Sequence, residues 1–266
     1  MDKLKLDLWC AYPDDLLDER AAQACVRLLS EDERERWQRF KFDRHRREYL
    51  ATHALARIAL SHRLGSPPET WRFQFNADGK PSVDPECGLH FNLSNSLGLV
   101  VCLIAEGPEV GVDVEPRARS ASIAEVGPRM FSAQENAQLQ SLCEDERSER
   151  ALNLWTLKEA YVKARGSGLA LPLSKFSFLF EDAKCIHMEM DPILNDSPER
   201  WRFCLLEHKA HCIAMMVENG AVLDLRMWEA RLPDPLPRQI ARAKETWHPA
   251  LLNSCTEAAK RATEEL

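Results

Sequence analysis

The chain has 266 residues, enough for one large domain or two smaller ones, and its hydrophobic content of 45% and charged content of 29% are ordinary for a soluble globular protein. The 35 Lys and Arg against 42 Asp and Glu leave a formal net charge of −7, which argues against a non-specific nucleic-acid binder. The longest apolar run, residues 97–105, is much shorter than the roughly 20 residues that a membrane span needs. We therefore expect neither a membrane segment nor a nucleic-acid partner.

The nine cysteines are scattered singly and form no Cys-x-x-Cys pair. Asp2 and Asp7 interrupt the apolar residues at the start of the chain, which is not typical of a secretory signal peptide. Reduced thiols and a cytoplasmic protein are therefore expected. The group of His208, His211 and Cys212 has no second cluster at a matching spacing, which disfavours a zinc site.

Local patterns in the first half predict both strands and helices. Residues 30–33 have the capping-box pattern that begins a helix, and Gly65 ends the helical apolar spacing that follows. The predicted elements in chain order are a strand over 4–12, a helix from the capping box, a helix over 49–62, a strand over 71–75, a turn over 76–79, and a hairpin of 89–93 and 97–105 that turns at Asn95-Ser96.

The second half repeats this order at an offset of roughly 100 residues, with little residue identity. Its predicted elements are a strand over 110–114, a capping box over 132–135, a helix over 149–165 ended by Gly166 and Gly168, a strand over 176–180, and a hairpin of 201–206 and 210–217. We interpret the repeat as two similar α+β halves that arose by duplication. The predicted domains are an N-terminal lobe (1–108), a C-terminal lobe with the metal site (109–230) and a Pro-containing helical tail (231–266).

Two segments of the second half concentrate acidic residues and a lysine. Asp113 and Glu115 are two apart in a predicted strand and therefore share one face. Glu159 and Lys163 share one face of a helix, together with Trp155. A solvated edge strand and a surface ion pair are the alternatives. Convergent carboxylates beside a lysine instead suit a hard divalent cation bound to a phosphate ester.

Three further segments are candidates for binding anions. Lys80 lies in a Gly-Lys-Pro turn, where it either binds a phosphate or is simply solvated. Residues 91–96, which include Ser94 and Asn95, are rich in small hydrogen-bonding groups and form either a plain turn or a phosphate cradle. Residues 34–47 contain seven Arg and Lys, which favours phosphates or an acidic protein surface over a merely solvated helix face.

Four motifs occur in the order and at distances that resemble one family. Gly-x-Asp-x-Glu is at 111–115, Phe-Ser-x-x-Glu at 131–135, Trp-x-x-Lys-Glu-Ala-x-x-Lys at 155–163 and Gly-x-Gly-Leu at 166–169. Together they resemble the 4′-phosphopantetheinyl transferases, in particular the larger, two-lobed Sfp-type class. The resemblance covers roughly residues 5–228. It implies two similar α/β lobes related by pseudo-twofold symmetry, and a monomer.

The resemblance also implies a reaction and a partner. The phosphopantetheine arm of coenzyme A is transferred to a serine of an acyl or peptidyl carrier protein, with release of 3′,5′-ADP. Mg²⁺ is held by Asp113, Glu115 and Glu159, and either Glu159 or a metal-bound water takes the serine proton. Lys163 stabilises or protonates the departing phosphate.

Other residues are expected to bind the coenzyme or to assist. Lys80 and Lys158 bind phosphates, and Glu135 assists the metal site or positions the serine. Asn95 replaces the histidine that usually contacts the 3′-phosphate in this family, so either the affinity for the coenzyme is lower or Arg46 or Arg47 compensates for the missing charge.

Two alternatives to the transferase remain open from the sequence. A Mg²⁺-dependent nuclease also uses Asp, Glu and Lys, but its Glu and Lys usually lie two apart on one strand. The other alternative is a non-catalytic relic that binds carrier proteins without modifying them. Asn95 is the residue that favours this alternative. The sequence does not distinguish among fatty-acid, polyketide and peptide-synthetase carriers.

Overall fold

The computed structural model describes residues 4–181, 185–218, 223–234 and 238–242. The strands in these ranges are β1 (Leu4–Ala11), β2 (Arg72–Phe75), β3 (Pro81–Asp84), β4 (Leu89–Ser96), β5 (Leu99–Glu106), β6 (Val110–Pro116), β7 (Phe176–Phe180), β8 (Ile186–Met190), β9 (Trp201–His208), β10 (His211–Glu218), β11 (Leu223–Glu229) and β12 (Arg238–Arg242). The α-helices are α1 (Glu19–Val26), α2 (Glu31–Arg39), α3 (Asp43–Leu64), α4 (Ser120–Val126), α5 (Ala133–Gln140) and α6 (Glu144–Arg165). The fold is therefore of the mixed α+β class.

The predicted helix ends have the expected physical basis. A reciprocal capping box between Ser30 and Glu33 begins α2, and another between Ser132 and Glu135 begins α5. The two long helices, α3 and α6, each end at a glycine in the left-handed conformation, with φ of 76° at Gly65 and 63° at Gly166. Helix α6 is longer than predicted because it begins at residue 144.

Two larger sheets form the centre of the molecule. The order of the first is β12-β11-β1-β5-β4, and the order of the second is β6-β10-β9. Strand β11 pairs with β1 in parallel, so a strand from the second half completes the sheet of the first half. This pairing was not predicted, because its two partners lie at opposite ends of the described chain.

The predicted helical tail is wrong where the structure describes it. Residues 238–242 form strand β12, which pairs antiparallel with β11, and Ile240 packs against the buried residues of both sheets. Pairing with β11 outweighs the weak local preference of this short segment. Residues 235–237 and 243–266 of the predicted tail lie outside the described residues.

The hairpin of β4 and β5 turns later than predicted. Strand β4 continues through Asn95 to Ser96, which pairs with Leu99. The turn is Leu97-Gly98, and Gly98 has a φ of 85°. A tight hairpin turn needs such a positive φ, which glycine adopts without a steric penalty. Asn95 and Ser96 therefore belong to a strand.

Strand β6 has two different faces, as its alternating sequence predicts. Val110, Val112 and Val114 pack between the two larger sheets. The residues between them face α6, which packs against β6 and β10. A second core lies between α1–α3 and the first sheet, and a third between α4–α6 and the second sheet. No helix among the described residues is long and apolar enough to cross a membrane.

Side chains of β4, rather than its backbone, connect the two sheets beside β6. The backbone N–H of Val112 donates to Oδ1 of Asn92 at 2.9 Å, and that of Val114 donates to Oγ of Ser94 at 3.3 Å. Asn92 and Ser94 are both buried. The strand-end segment singled out in the sequence thus joins the two halves next to Asp113.

The order of elements recurs in the two halves: a strand, a capped short helix, a long helix ended by glycine, and two hairpins. The pseudo-twofold relation and the lobe boundaries at 108 and 230 stay predictions. Strand β11 lies before the second boundary but pairs in the first sheet.

Candidate active site

A close approach of β6 to α6 forms the site. A Cβ atom added at Gly111 would lie 2.1 Å from the carbonyl oxygen of Ala160 and 2.4 Å from the backbone nitrogen of Ala164. No side chain fits there, so the glycine of the Gly-x-Asp-x-Glu motif lets helix and strand backbones meet. This contact brings Glu159 and Lys163 of α6 beside the acidic residues of β6.

Lys163, Asp113 and Ser94 form a hydrogen-bonded triangle. The Nζ atom of Lys163 lies 2.7 Å from Oδ1 of Asp113 and 2.8 Å from Oγ of Ser94. The Ser94 hydroxyl donates to the same carboxylate oxygen at 2.9 Å. Oδ2 of Asp113 is buried and has no hydrogen-bond partner among the described residues. A buried carboxylate oxygen without a donor is energetically costly and is therefore well suited to a cation.

Glu115 is bound by three other donors. Arg119 Nη1 lies 2.8 and 2.7 Å from its two carboxylate oxygens, Trp155 Nε1 donates at 3.1 Å, and Ser96 Oγ donates at 3.3 Å. Burial raises the pKa of Glu115, and the charge of Asp113 adds to the rise, while Arg119 lowers it. Arg119 thus compensates only part of the charge in this site.

Glu159 shares the electrostatic environment of both strand carboxylates. Burial raises its pKa, the charge of Asp113 raises it further and Glu115 adds to the rise, whereas Lys163 lowers it. Glu159 also lines a cavity of about 290 Å³ with Trp155, and so faces open space. The charge of Asp113 therefore opposes the ionisation of both Glu115 and Glu159.

The donor set suits a hard divalent cation, although the oxygen atoms are not yet arranged around one. Within the described ranges, no three His, Cys, Asp or Glu side chains are positioned to hold a metal ion. Arg119 occupies both oxygens of Glu115, and Lys163 binds one oxygen of Asp113. The free Oδ2 of Asp113 and the mutual repulsion of the carboxylates nevertheless favour a cation with oxygen ligands.

Lys158 and Glu135 are placed differently from the prediction. Both side chains are completely buried, and Nζ of Lys158 lies 2.8 Å from Oε2 of Glu135. Lys158 also donates to the carbonyls of Leu173 and Phe176 at 2.7 and 2.5 Å. Lys158 precedes Glu159 by one residue, which rotates it about 100° around the helix and into the core. Neither residue has surface available for a phosphate, the metal or a serine.

Lys80 is occupied by contacts within the protein. Its side chain is only 13% exposed, and its Nζ atom lies 2.5 Å from Oε2 of Glu109 and 2.6 Å from the carbonyl oxygen of Ala164. A contact distant in sequence thus determines the orientation of Lys80, which local turn patterns do not reveal.

The remaining predicted coenzyme residues lie on elements of the first half. Asn95 is exposed on β4. Arg46 and Arg47 lie in the first turns of α3, and Arg46 Nε donates to the carbonyl of Phe40 at 2.8 Å. The Nε atom of Arg47 is buried without a hydrogen-bond partner among the described residues.

Sequence reasoning missed three residues that bind Glu115. Arg119 lies in the short turn that follows β6, so the helical i, i+4 rule does not predict its ion pair with Glu115. Trp155 was part of the predicted helix stripe but not assigned as a hydrogen-bond donor. Ser96 was assigned to a turn, and only the extension of β4 brings it to the site.

Comparison with known proteins decides the family. The family described as "4′-phosphopantetheinyl transferase superfamily" matches residues 109–216, and that described as "4′-phosphopantetheinyl transferase, N-terminal" matches residues 18–107. The 4′-phosphopantetheinyl transferase Sfp of Bacillus subtilis (strain 168) is 31% identical over 174 residues, covering 65% of this chain and 75% of the relative. The chain belongs to the 4′-phosphopantetheinyl transferase family. The prediction of an enzyme of this class is confirmed.

The transferase is similar to other proteins of the family. The 4′-phosphopantetheinyl transferase HetI of Nostoc sp. (strain PCC 7120) is 29% identical over 213 residues, covering 79% of this chain and 86% of HetI. A solved holo-(acyl-carrier-protein) synthase from Bacillus anthracis, in complex with CoA (3′,5′-ADP), aligns with 41% of this chain and 93% of that chain, with 16% identity and a TM-score of 0.35.

Proposed function

We propose that this transferase moves the 4′-phosphopantetheine arm of coenzyme A to a serine hydroxyl of an acyl or peptidyl carrier protein. The serine oxygen forms a bond to the phosphorus that carries the pantetheine arm. The bond between that phosphorus and the oxygen of the nucleotide phosphate breaks, and 3′,5′-ADP leaves. The serine proton goes to a base of the enzyme.

The proposal rests on one group of side chains: Lys163 pairs with Asp113, the charges of Asp113, Glu115 and Glu159 oppose one another's ionisation, and Oδ2 of Asp113 is buried without a donor among the described residues. These three carboxylates would hold Mg²⁺, which, when bound, neutralises charge on the pyrophosphate under attack. The free Oδ2 of Asp113 is the ligand atom that needs no rearrangement. Glu115 would be available to the metal if Arg119, which is partly exposed, released it.

Glu159 is the proposed base, and Lys163 acts on the leaving group. A carboxylate whose pKa is raised by burial accepts a proton more readily near neutral pH. The cavity beside Glu159 leaves it open on one side. Lys163 carries its ammonium group on the same helix face, where it stabilises negative charge or supplies a proton. Ser94 holds both Lys163 and Asp113 in place.

The coenzyme is proposed to bind along the first half of the chain. Asn95 lies exposed on β4, one residue beyond Ser94 and therefore on the opposite face of the strand, where its amide is available for a hydrogen bond to the coenzyme. Arg46 and Arg47 supply positive charge for the phosphates. The monomeric state, the cytoplasmic location and the two pseudo-symmetric lobes belong to the same proposal.

The decisive experiment is a transfer assay analysed by mass spectrometry. The protein is mixed with several apo carrier proteins, coenzyme A and Mg²⁺, and the mass of each carrier is measured. We expect one phosphopantetheine group to be added to at least one carrier. No added mass on any carrier contradicts the proposal and favours the relic, whereas cleavage of a plasmid with Mg²⁺ favours the nuclease.

Glu159→Gln tests the proposed base and metal ligand. Loss of a positioned base lowers a rate by about 10²- to 10⁴-fold, and the unfolding transition should remain close to that of the wild type. Glu149→Gln is the matched control, because Glu149 lies on the same helix and is exposed. Retained transfer in Glu159→Gln contradicts the assignment.

A further inference from the structure

A turn of the first half holds the end of helix α6. The amide Nδ2 of Asn76 donates to the carbonyl oxygen of Gly166 at 3.0 Å, and Nζ of Lys80 donates to the carbonyl oxygen of Ala164 at 2.6 Å. These carbonyl groups lie at the end of the helix, where no further turn supplies backbone N–H groups to donate to them. The ammonium group of Lys80 also complements the negative end of the helix dipole.

Two glycines allow the turn to come this close. A Cβ atom added at Gly166 would lie 2.9 Å from Cδ of Lys80 and 3.2 Å from Nδ2 of Asn76. One added at Gly168 would lie 3.2 Å from Cβ of Asp78. The Gly-Lys-Pro turn and the Gly-x-Gly motif, far apart in sequence, are thus the two sides of one contact.

The turn is held closed by its own hydrogen bonds, so it can hold the end of α6 in a fixed place. Oδ1 of Asn76 accepts hydrogen bonds from the backbone N–H groups of Asp78 and Lys80 at 3.0 and 2.8 Å. The backbone of Asn76 also pairs with that of Lys80 at 3.0 Å. The side chain of Asn76 therefore both closes its own turn and holds the helix.

Lys80 connects the helix to the strand that carries the acidic residues. Its second partner is Glu109, which directly precedes β6 and also accepts from His90 at 3.1 Å. The hydrogen bond from His90 is the largest cause that lowers the pKa of Glu109 to about 2, and Lys80 lowers it further although burial opposes the change. Glu109 thus remains a carboxylate that holds Lys80.

We infer that Lys80 and Asn76 are positioning residues of the transfer reaction, an inference that rests on the proposed function. They set the end of α6 against the start of β6, so that Lys163 and Glu159 face the strand carboxylates. Lys163 directly precedes Ala164, whose carbonyl Lys80 holds. Lys80 acts through the helix and does not bind the coenzyme.

Kinetics distinguish a positioning residue from a phosphate ligand. Loss of a phosphate ligand weakens coenzyme binding and raises KM, whereas misplacement of Glu159 and Lys163 lowers kcat. A shift of about 1 Å at a reacting group costs on the order of 10²-fold in rate. We therefore expect Lys80→Met to lower kcat by about 10- to 100-fold with an almost unchanged KM for coenzyme A.

The test combines kinetics with hydrogen exchange on the full-length protein. Lys80→Met and the milder Asn76→Ala are compared with Lys80→Arg, which keeps a donor for both partners and should restore most of kcat. Lys175→Met is the matched control, because Lys175 is an exposed lysine that pairs with Asp191. Amides 162–166 should exchange faster in Lys80→Met and Asn76→Ala, but not in Lys175→Met.

The outcomes separate this inference from the proposed function. A raised KM with unchanged kcat and unchanged exchange would show that Lys80 binds the coenzyme. Unchanged kcat and KM would show that the contact does not position the site. If the wild type transfers nothing, the proposed function fails, while hydrogen exchange still tells whether Lys80 holds α6. If Lys80→Met does not fold, Asn76→Ala provides the same comparison.

Discussion

The Nζ atom of Lys158 lies 2.8 Å from Oε2 of Glu135, and neither side chain contacts solvent. The first half contains the same arrangement, in which the buried Arg57 lies 2.7 Å from Oε2 of Glu33. Each carboxylate also belongs to the third residue of a helix that begins with a capping box. Each half therefore uses one carboxylate to begin a short helix and to hold a cation from the following long helix.

The Lys158 pair predicts a large loss of stability when one partner is removed. Lys158→Met leaves the Glu135 carboxylate buried without its cation, which costs about 3–5 kcal/mol in the free energy of unfolding. Urea denaturation measures the loss, and adding Glu135→Gln to Lys158→Met should recover part of it. KM for coenzyme A should be unchanged in the protein that remains folded. Full stability combined with a raised KM would instead restore Lys158 as a phosphate ligand.

The lowered pKa of Glu33 predicts that the protein loses stability in acid. Burial alone would raise its pKa, but the hydrogen bond and charge of His53, together with Arg57, lower it from 4.5 to about 2. The folded state therefore binds the proton less readily, so the stabilisation is complete above pH 4.5 and is lost as the pH falls towards 2. At about 1.4 kcal/mol per pH unit, the loss is on the order of 3 kcal/mol.

Urea denaturation between pH 6 and pH 3 checks the Glu33 prediction. Glu33→Gln should be less stable at pH 6 and should lose less stability on acidification than the wild type. The control, Glu35→Gln, changes an exposed residue of the same helix and should keep the wild-type dependence on pH. An equally steep loss in Glu33→Gln would assign the acid sensitivity to other carboxylates.

Gly111→Ala should damage the site as well as the fold. The added methyl group meets backbone atoms of Ala160 and Ala164, which cannot rotate away, so β6 and α6 must separate. Such overpacking costs about 1–3 kcal/mol in the free energy of unfolding. The transfer activity should decrease by more than the fraction of unfolded protein accounts for. Gly107→Ala is the control, because Gly107 has positive φ but open space around it. Equal losses of activity in both variants would refute the special role of Gly111.

Arg119→Gln should strengthen the binding of a divalent cation. Arg119 holds both oxygens of Glu115 but is about half exposed, and such pairs are worth roughly 0.2–1 kcal/mol. Its removal should therefore tighten binding by up to about fivefold, measured by titration with Mn²⁺ and electron paramagnetic resonance. Arg129→Gln serves as a control on a nearby exposed arginine. Weaker binding in Arg119→Gln would mean that the arginine orients Glu115 for the metal.

Local signals in the sequence predict much of this fold. The capping boxes, the glycines that end α3 and α6, and the alternation of β6 depend on neighbouring residues, and each is confirmed. Strand β11 was missed because it depends on pairing with β1 at the other end of the described chain, and β12 was missed because it depends on pairing with β11. A local sequence pattern carries no information about a pairing partner so distant in sequence.

The candidate site likewise combines residues that local patterns predict with residues whose placement depends on contacts distant in sequence. Alternation and helical spacing predict that Asp113, Glu115, Glu159 and Lys163 share one site, and in the structure Lys163 pairs with Asp113. The motif alone does not say that Lys158, adjacent to Glu159, turns into the core. The direction of Lys80 depends likewise on the end of α6, a partner that becomes visible only when the chain has folded.

The parallel pairing of β1 with β11 has a consequence for how this protein is made. Leu4 pairs with Leu223, so β1 leaves the ribosome well before β11, and its sheet is incomplete until β11 has been made. Until then, one edge of β1 has no backbone partner there. Fragments that stop at the end of β10 should consequently aggregate or be degraded rather than accumulate as independent halves.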